Sequence, residues 1–273
     1  MINNFKIFIM RFNYTDMTTK IPPLQIQQQL SKEANYGCIV CGCPVLEFID
    51  IVNKNSQISA FLLENMIAIC PTDHIKYADG LISESSLRNA KINPYNKVHE
   101  ENAFTMKQHH DVHDLIVKVG KCTFVNTSRI LVVDDFDIIS IKKEEYAGKS
   151  FILLDINFFN KINNLIAIVL QNYWSAEKSR DWQIDYKSKH LIIQNSKQNI
   201  IFELMIQDNE ITINVDGMFY NGHPIKITND QILFDNQEIA LDIKGSTLKN
   251  YEIGVTAETL NKRWNNVSDQ RPR

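Results

Sequence analysis

The chain of 273 residues has no stretch of 18 uninterrupted apolar residues and no large excess of charge of either sign. The first absence excludes a membrane-crossing helix, which needs about 20 mostly apolar residues. The apolar run FKIFIMRF, bracketed by Lys6 and Arg11, is too short for a signal-peptide core. The expectation is a soluble, cytoplasmic protein with no membrane partner. Residues 1–23 then read as a leader, a strand or disordered, with Met17 as an alternative start. The formal net charge is −3; nine Lys/Arg face nine Asp/Glu up to residue 100, and 20 face 23 beyond it. Neither part is a basic domain, which weighs against tight nucleic-acid binding without a local cationic patch, because counterion release needs clustered cations. The sequence also lacks a glycine-rich phosphate loop and any Ser/His/Asp set whose spacing supports a hydrolase triad.

Cysteine is scarce. The five, Cys38, Cys41, Cys43, Cys70 and Cys122, are odd in number, and four of them fall within 33 positions. Without a secretion signal, that distribution points to a metal rather than to a disulfide framework. Cys122, far from the others, reads as a core residue.

Two kinds of patterning divide the chain. LQIQQQLSKEAN follows two prolines and reads as a helix ending near Asn35, with Gly37 as the break. CPVLEFIDIV reads as a strand or short hairpin, and residues 53–63 as a connecting loop. CPTDHIKYADG reads as a helix with Pro71 in its first turn and Gly80 at its end. A further short helix, capped by Ser83 or Ser85, runs to Lys91 before Pro94. Residues 93–112 lack periodicity and read as a linker; His109, His110 and His113 there are more simply solvated than a metal cluster.

From residue 113 to 253, short runs rich in Ile, Val and Phe alternate with turn signals such as Asp134-Asp135, Asp208-Asn209, Asn221-Gly222 and Asp235-Asn236. This predicts an all-β domain, a sandwich by default or a β-solenoid. Residues 254–273 read as a tail. Tyr173, Trp174 and Trp182, beside Lys178, Arg180 and Lys187, have the mixture that stacks bases and meets phosphates. The plainer reading is the edge of a β core.

Cys38 and Cys41 form C-x-x-C followed by Gly42, a knuckle that lets two thiolates reach one ion. Cys70 opens a helix, and tetrahedral zinc needs a fourth ligand. Asp73 stands where it would complete the set; Cys43 and His74 are the other candidates.

The runs N-Y-G-C-I-V-C-G, L-E-F-I-D-I-V and E-N-M-I-A-I-C-P-T-D-H resemble the HNH endonuclease superfamily, the ββα-metal fold of treble-clef type, over about residues 30–92. The resemblance implies an α+β chain: a small zinc-braced ββα-metal domain at 24–92 followed by the all-β domain. It also implies structural Zn2+ on Cys38, Cys41, Cys70 and Asp73. A second divalent ion such as Mg2+ would sit on His74 and Asp50, with Asn65 as the brace. Glu47 stands just upstream as possible support, and Lys76 and Arg88 are the nearby cations that would meet DNA. The implied activity is metal-dependent DNA cleavage, with the β-rich domain recognising DNA or a protein partner. The alternative is a catalytically inactive module that binds nucleic acid or protein. Gly37, Asp50, Asn53 and Asp73 depart from the family's usual Arg, His, Pro and Cys or His. Asp50 is the serious departure: an ionised Asp is a poor proton acceptor where the family uses His as general base. It is nevertheless an oxygen ligand suited to Mg2+.

Overall fold

The computed structural model describes residues 22–52, 61–106, 114–195, 197–238 and 245–259. The expectations for residues 1–21, Asn53, most of the 53–63 loop, the three linker histidines and residues 260–273 lie outside them.

Helix α1, Leu24–Glu33, follows Pro23 as expected. Its break is not at Gly37: Asn35 and Tyr36 take positive φ of 53° and 55°. Gly37 is held for another reason, since a Cβ there would lie 2.1 Å from Asn96 Nδ2. Strands β1, Glu47–Asp50, and β2, Met66–Ile69, pair antiparallel with Glu47 opposite Ile69 and Asp50 opposite Met66. Helix α2, Pro71–Ala78, leaves β2 directly and closes a ββα unit. Its signals are those read from the sequence: Pro71 at the entrance, and Gly80 beyond the end with φ +78°. Helix α3, Glu84–Ile92, is capped by Ser83, whose hydroxyl accepts from the Ser86 N–H at 3.1 Å.

The stretch expected as a linker is packed up to residue 106. It forms helix α4, Tyr95–Val98, a 3-10 turn at Glu100–Asn102, and strand β3, Thr105–Met106. Asn96 is fully buried and donates to the carbonyls of Asn35 and Gly42, and Phe104 is also buried. A few polar anchors thus do what no apolar periodicity announced.

The remaining strands form the β body. They are β4 Ile116–Val119, β5 Cys122–Val125, β6 Arg129–Val133, β7 Phe136–Tyr146, β8 Lys149–Phe159, β9 Leu165–Leu170 and β10 Tyr173–Ala176. Then follow β11 Trp182–Lys187, β12 His190–Asn195, β13 Ile200–Gln207, β14 Glu210–Tyr220 and β15 His223–Ile227. The series closes with β16 Ile232–Phe234, β17 Gln237–Glu238, β18 Thr247–Lys249 and β19 Ile253–Ala257. β19 pairs with β6, so the expected tail begins inside a strand.

Successive strands are mostly antiparallel hairpins. Asp134-Asp135, Asp208-Asn209, Asn221-Gly222 and Asp235-Asn236 each carry two consecutive positive φ values, the two-residue turn that matches strand twist. Strands β3 to β19 belong to one closed, barrel-like system rather than the two sheets of a sandwich. Nor is it a solenoid of parallel rungs: the parallel pairings are β4 with β14, β5 with β18 and β6 with β19. Tight turns return the chain beside itself, which imposes antiparallel neighbours.

The ββα unit and the β body share one contiguous apolar core, running from Ala34 to Ala257 among the described residues. Two contacts sew them together. Leu46 bridges β10 at Tyr173, donating to the Asn172 carbonyl at 2.8 Å and accepting from the Trp174 N–H at 2.7 Å. On α2, the Thr72 hydroxyl donates to the Ile184 carbonyl at 2.7 Å and accepts from the Ile184 N–H at 3.0 Å. A side chain thereby fills the place on β11 where another strand would bond.

Candidate metal centre and a carboxylate–imidazole pair

Gly42, at φ +78°, turns the chain between Cys41 and Cys43. The Gly42 N–H donates to the Cys38 carbonyl at 2.9 Å and the Cys38 N–H to the Cys43 carbonyl at 2.8 Å, which closes the knuckle. Cys70 stands at the N-cap of α2, its sulfur accepting from the Asp73 N–H at 3.4 Å. Strand β2 places Cys70 next to the knuckle, where the Ile39 N–H donates to the Ala68 carbonyl.

These elements bring Cys38, Cys41, Cys70 and Asp73 together with all four ligand atoms within 4.8 Å of one another. The donor set can be tested against zinc. Two sulfurs each about 2.3 Å from a tetrahedral ion stand about 3.8 Å apart, and a sulfur and a carboxylate oxygen about 3.6 Å. Cys41 Sγ and Cys70 Sγ are 3.7 Å apart; Asp73 Oδ2 is 3.4 Å from both Cys38 Sγ and Cys70 Sγ. These three edges have about the size a zinc tetrahedron requires, and the other three lie within 4.8 Å. The group could hold a metal ion. Cys43 and His74, the other candidates for fourth ligand, stand outside this group among the described residues. Cys43 is buried, its sulfur directed to the Val45 carbonyl at 3.8 Å. Cys122 is buried in β5.

Burial raises the Cys38 thiol, but hydrogen bonds from Cys41 and Cys70 outweigh it and hold Cys38 well below the usual thiol range. Cys41 and Cys70 are pushed up chiefly by their bonds to that sulfur. Burial also raises Asp73, while Cys41 and Lys76 pull it below the ordinary carboxylate range, and the lowering wins. The two carboxylate oxygens divide their work. Oδ2 faces the sulfurs; Oδ1 accepts from Lys76 Nζ at 2.8 Å. Three thiolates and a carboxylate exceed the charge of a divalent ion, and the ammonium of Lys76 offsets part of the excess.

Lys76, expected as a DNA contact, is therefore committed to Asp73, and Arg88 pairs with Glu84 at 2.8 Å. His74, the next residue on α2, places Nδ1 2.5 Å from Oε2 of Glu47 at the start of β1. The imidazole is about one-third exposed, at 34%, and the carboxylate is largely covered, at 15%. In a neutral imidazole, a carboxylate accepting at Nδ1 keeps the proton there and leaves the Nε2 lone pair to face a metal. Asp50, placed opposite Glu47 by strand alternation over three positions, is buried at the end of β1. Its Oδ1 accepts from the Val52 N–H at 2.8 Å. Asn65 stands at the turn into β2, its carbonyl accepting from the Ile51 N–H at 3.0 Å. The partner that the structure gives His74 is thus Glu47. The signal was in the sequence: a residue at the first position of a strand antiparallel to β2 faces the helix that leaves β2's far end.

Of the aromatic cluster, Trp174 and Trp182 are buried against each other, rings 5.3 Å apart, while Tyr173 stacks on Phe48 of β1. They form core and seam. No helix among the described residues is long and apolar enough to cross a membrane. Compared with protein-family models, with curated proteins and with solved structures, the chain matches none.

Proposed function

We propose that the protein is a metal-dependent DNA endonuclease of HNH type, or a close derivative, in which a structural zinc on Cys38, Cys41, Cys70 and Asp73 braces the ββα unit. The observation that carries this reading is the His74–Glu47 pair at 2.5 Å on the helix and first strand of that unit. Glu47 holds the Nδ1 proton, so Nε2 of His74 is presented to a divalent ion. Such an ion supplies Lewis acidity toward a phosphodiester and a lowered pKa for bound water. The chain's own contribution is to orient the imidazole through Glu47 and to hold the hairpin through Asn65. Asp50, turned to the Val52 amide, has a structural role in this scheme.

Plasmid nicking with Mg2+, Mn2+ or Ni2+ tests the proposal, run beside His74→Ala, Glu47→Ala and Asp50→His. Activity lost in the first two variants supports it. An inactive parent that gains activity in Asp50→His identifies a decayed site.

A non-catalytic module is the second reading. It is favoured by one specific observation: Lys76 and Arg88 beside the site are neutralised by Asp73 and Glu84. Inactivity in the parent and in Asp50→His would establish it.

A further inference from the structure

At one end of the β body lies a cavity of about 1250 Å³, larger than the roughly 300–1,000 Å³ of a small-molecule site. A bulge lies in its wall. Pairing of β13 with β14 stops at Phe202–Val215, and β14 shifts register between Asp216 and Met218, where Gly217 takes φ +83°. Ile200, Ile201 and Gly217 line the cavity, and Ile201 stays against β14, its Cδ1 3.1 Å from where a Cβ on Gly217 would stand.

The charges on its lining are unequal in availability. Lys226 is paired with Asp216 at 2.8 Å, and Glu203 with His190 at 2.6 Å. Lys178 and Lys197 are exposed and have no ion-pair partner among the described residues; the lining carboxylates Glu177 and Asp181 are exposed and without one as well, and Lys161 stands 5.4 Å over the partly exposed ring of Phe219. The lining also carries the amides of Gln198, Asn199 and Asn229. Within the wall, Asn214 Oδ1 is buried with no hydrogen-bond partner among the described residues, a cost to the fold unless a ligand group or water meets it. Free cations, amides and an aromatic face together suit a chain of phosphates and bases. A stiff duplex, with a persistence length of about 150 bp, cannot curl into such a hollow; a single strand can.

We infer that this cavity binds single-stranded nucleic acid, an inference that takes the choice of nucleic acid from the proposed nuclease reading. The wall between Glu177 and Trp182 is fastened to helix α2. Arg180 pairs with Asp79 at 2.8 Å, just past the helix end, and Thr72 holds Ile184. The cavity wall is thereby tied to the same helix that carries His74.

The test measures anisotropy of a fluorescein-labelled oligothymidylate against salt, using the His74→Ala protein without added divalent ion, so that binding is read apart from cleavage. Three phosphate contacts predict a slope of log K against log salt of about −2. In the Lys178→Ala/Lys197→Ala variant the slope should fall to about −0.7, with at least tenfold weaker binding at low salt. Equal binding of a duplex of the same length, absent binding at low salt, or an unchanged slope in the double variant would overturn the inference. Binding in a protein that never nicks plasmid would uphold it and remove only the nuclease reading.

Discussion

The sulfurs of Cys41 and Cys70 stand 3.7 Å apart although 29 positions separate the residues in the chain. A metal shared between them closes that loop in the folded state, so binding free energy becomes folding free energy. We expect one zinc per chain. Cys70→Ser should weaken zinc binding and lower Tm by about 5 °C or more, the equivalent of about 2 kcal/mol in a domain of this size. A variant with unchanged zinc content and Tm would mean that Cys70 is only a small buried apolar residue.

Gly42 is required by the knuckle twice over. Its φ of +78° is a conformation that costs an L-residue about 1–2 kcal/mol, and a Cβ there would meet Asn96 Oδ1 at 2.3 Å and the Tyr95 ring at 2.7 Å. Gly42→Ala should therefore destabilise by more than about 2 kcal/mol in urea unfolding and reduce zinc retention. Gly80 has the same φ but open space around it, and Gly80→Ala should cost only the backbone share. Equal losses in the two variants would refute the role of the Asn96 contact.

Thr72 satisfies both backbone groups of Ile184. Thr72→Val keeps the shape and removes the hydroxyl, leaving a donor and an acceptor at a part-buried seam, a loss of about 1–3 kcal/mol. Thr72→Ser should recover most of it. Chemical denaturation of the three proteins measures both effects, and no difference between Val and Ser would show that the seam is held by packing alone.

How much of this was legible beforehand varies by element. The knuckle, the helix opening at Cys70 and the position of Asp73 follow from local spacing, and the structure assembles them. The hairpins were legible where the turn residue itself tolerates positive φ, as at Asn221-Gly222. Ser188-Lys189 takes the same conformation, with φ of 50° and 63°, from residues that do not advertise it. The parallel pairings of β4, β5 and β6 join segments more than 90 positions apart, such as Glu210 with Ile116, and no local signal encodes them. Nor did the stretch after Pro94 announce itself, because it is anchored by the polar Asn96 rather than by an apolar stripe. The family resemblance placed Asp50 beside His74 at a metal, whereas the structure bonds Glu47 to His74 and strand alternation turns Asp50 to the other face.

Acid should act on the metal site through its sulfurs before its carboxylate. The folded-state pKa of Asp73 lies below 3.8, so its stabilising contribution is complete above that unfolded value and is lost only as pH falls through the lower folded value. Thiolates compete with protons at higher pH, and binding the metal releases those protons. Zinc release on acidification should thus be complete while Asp73 is still ionised, and a release midpoint below pH 3.8 would disprove this order.

The central claim, that three sulfurs and one carboxylate grip a single ion, is tested most directly by zinc K-edge X-ray absorption on the purified protein. The account predicts about three sulfurs at about 2.3 Å and one oxygen at about 2.0–2.2 Å, with the oxygen lost in Asp73→Ala. A shell of four sulfurs, or a folded protein with no zinc, would contradict it.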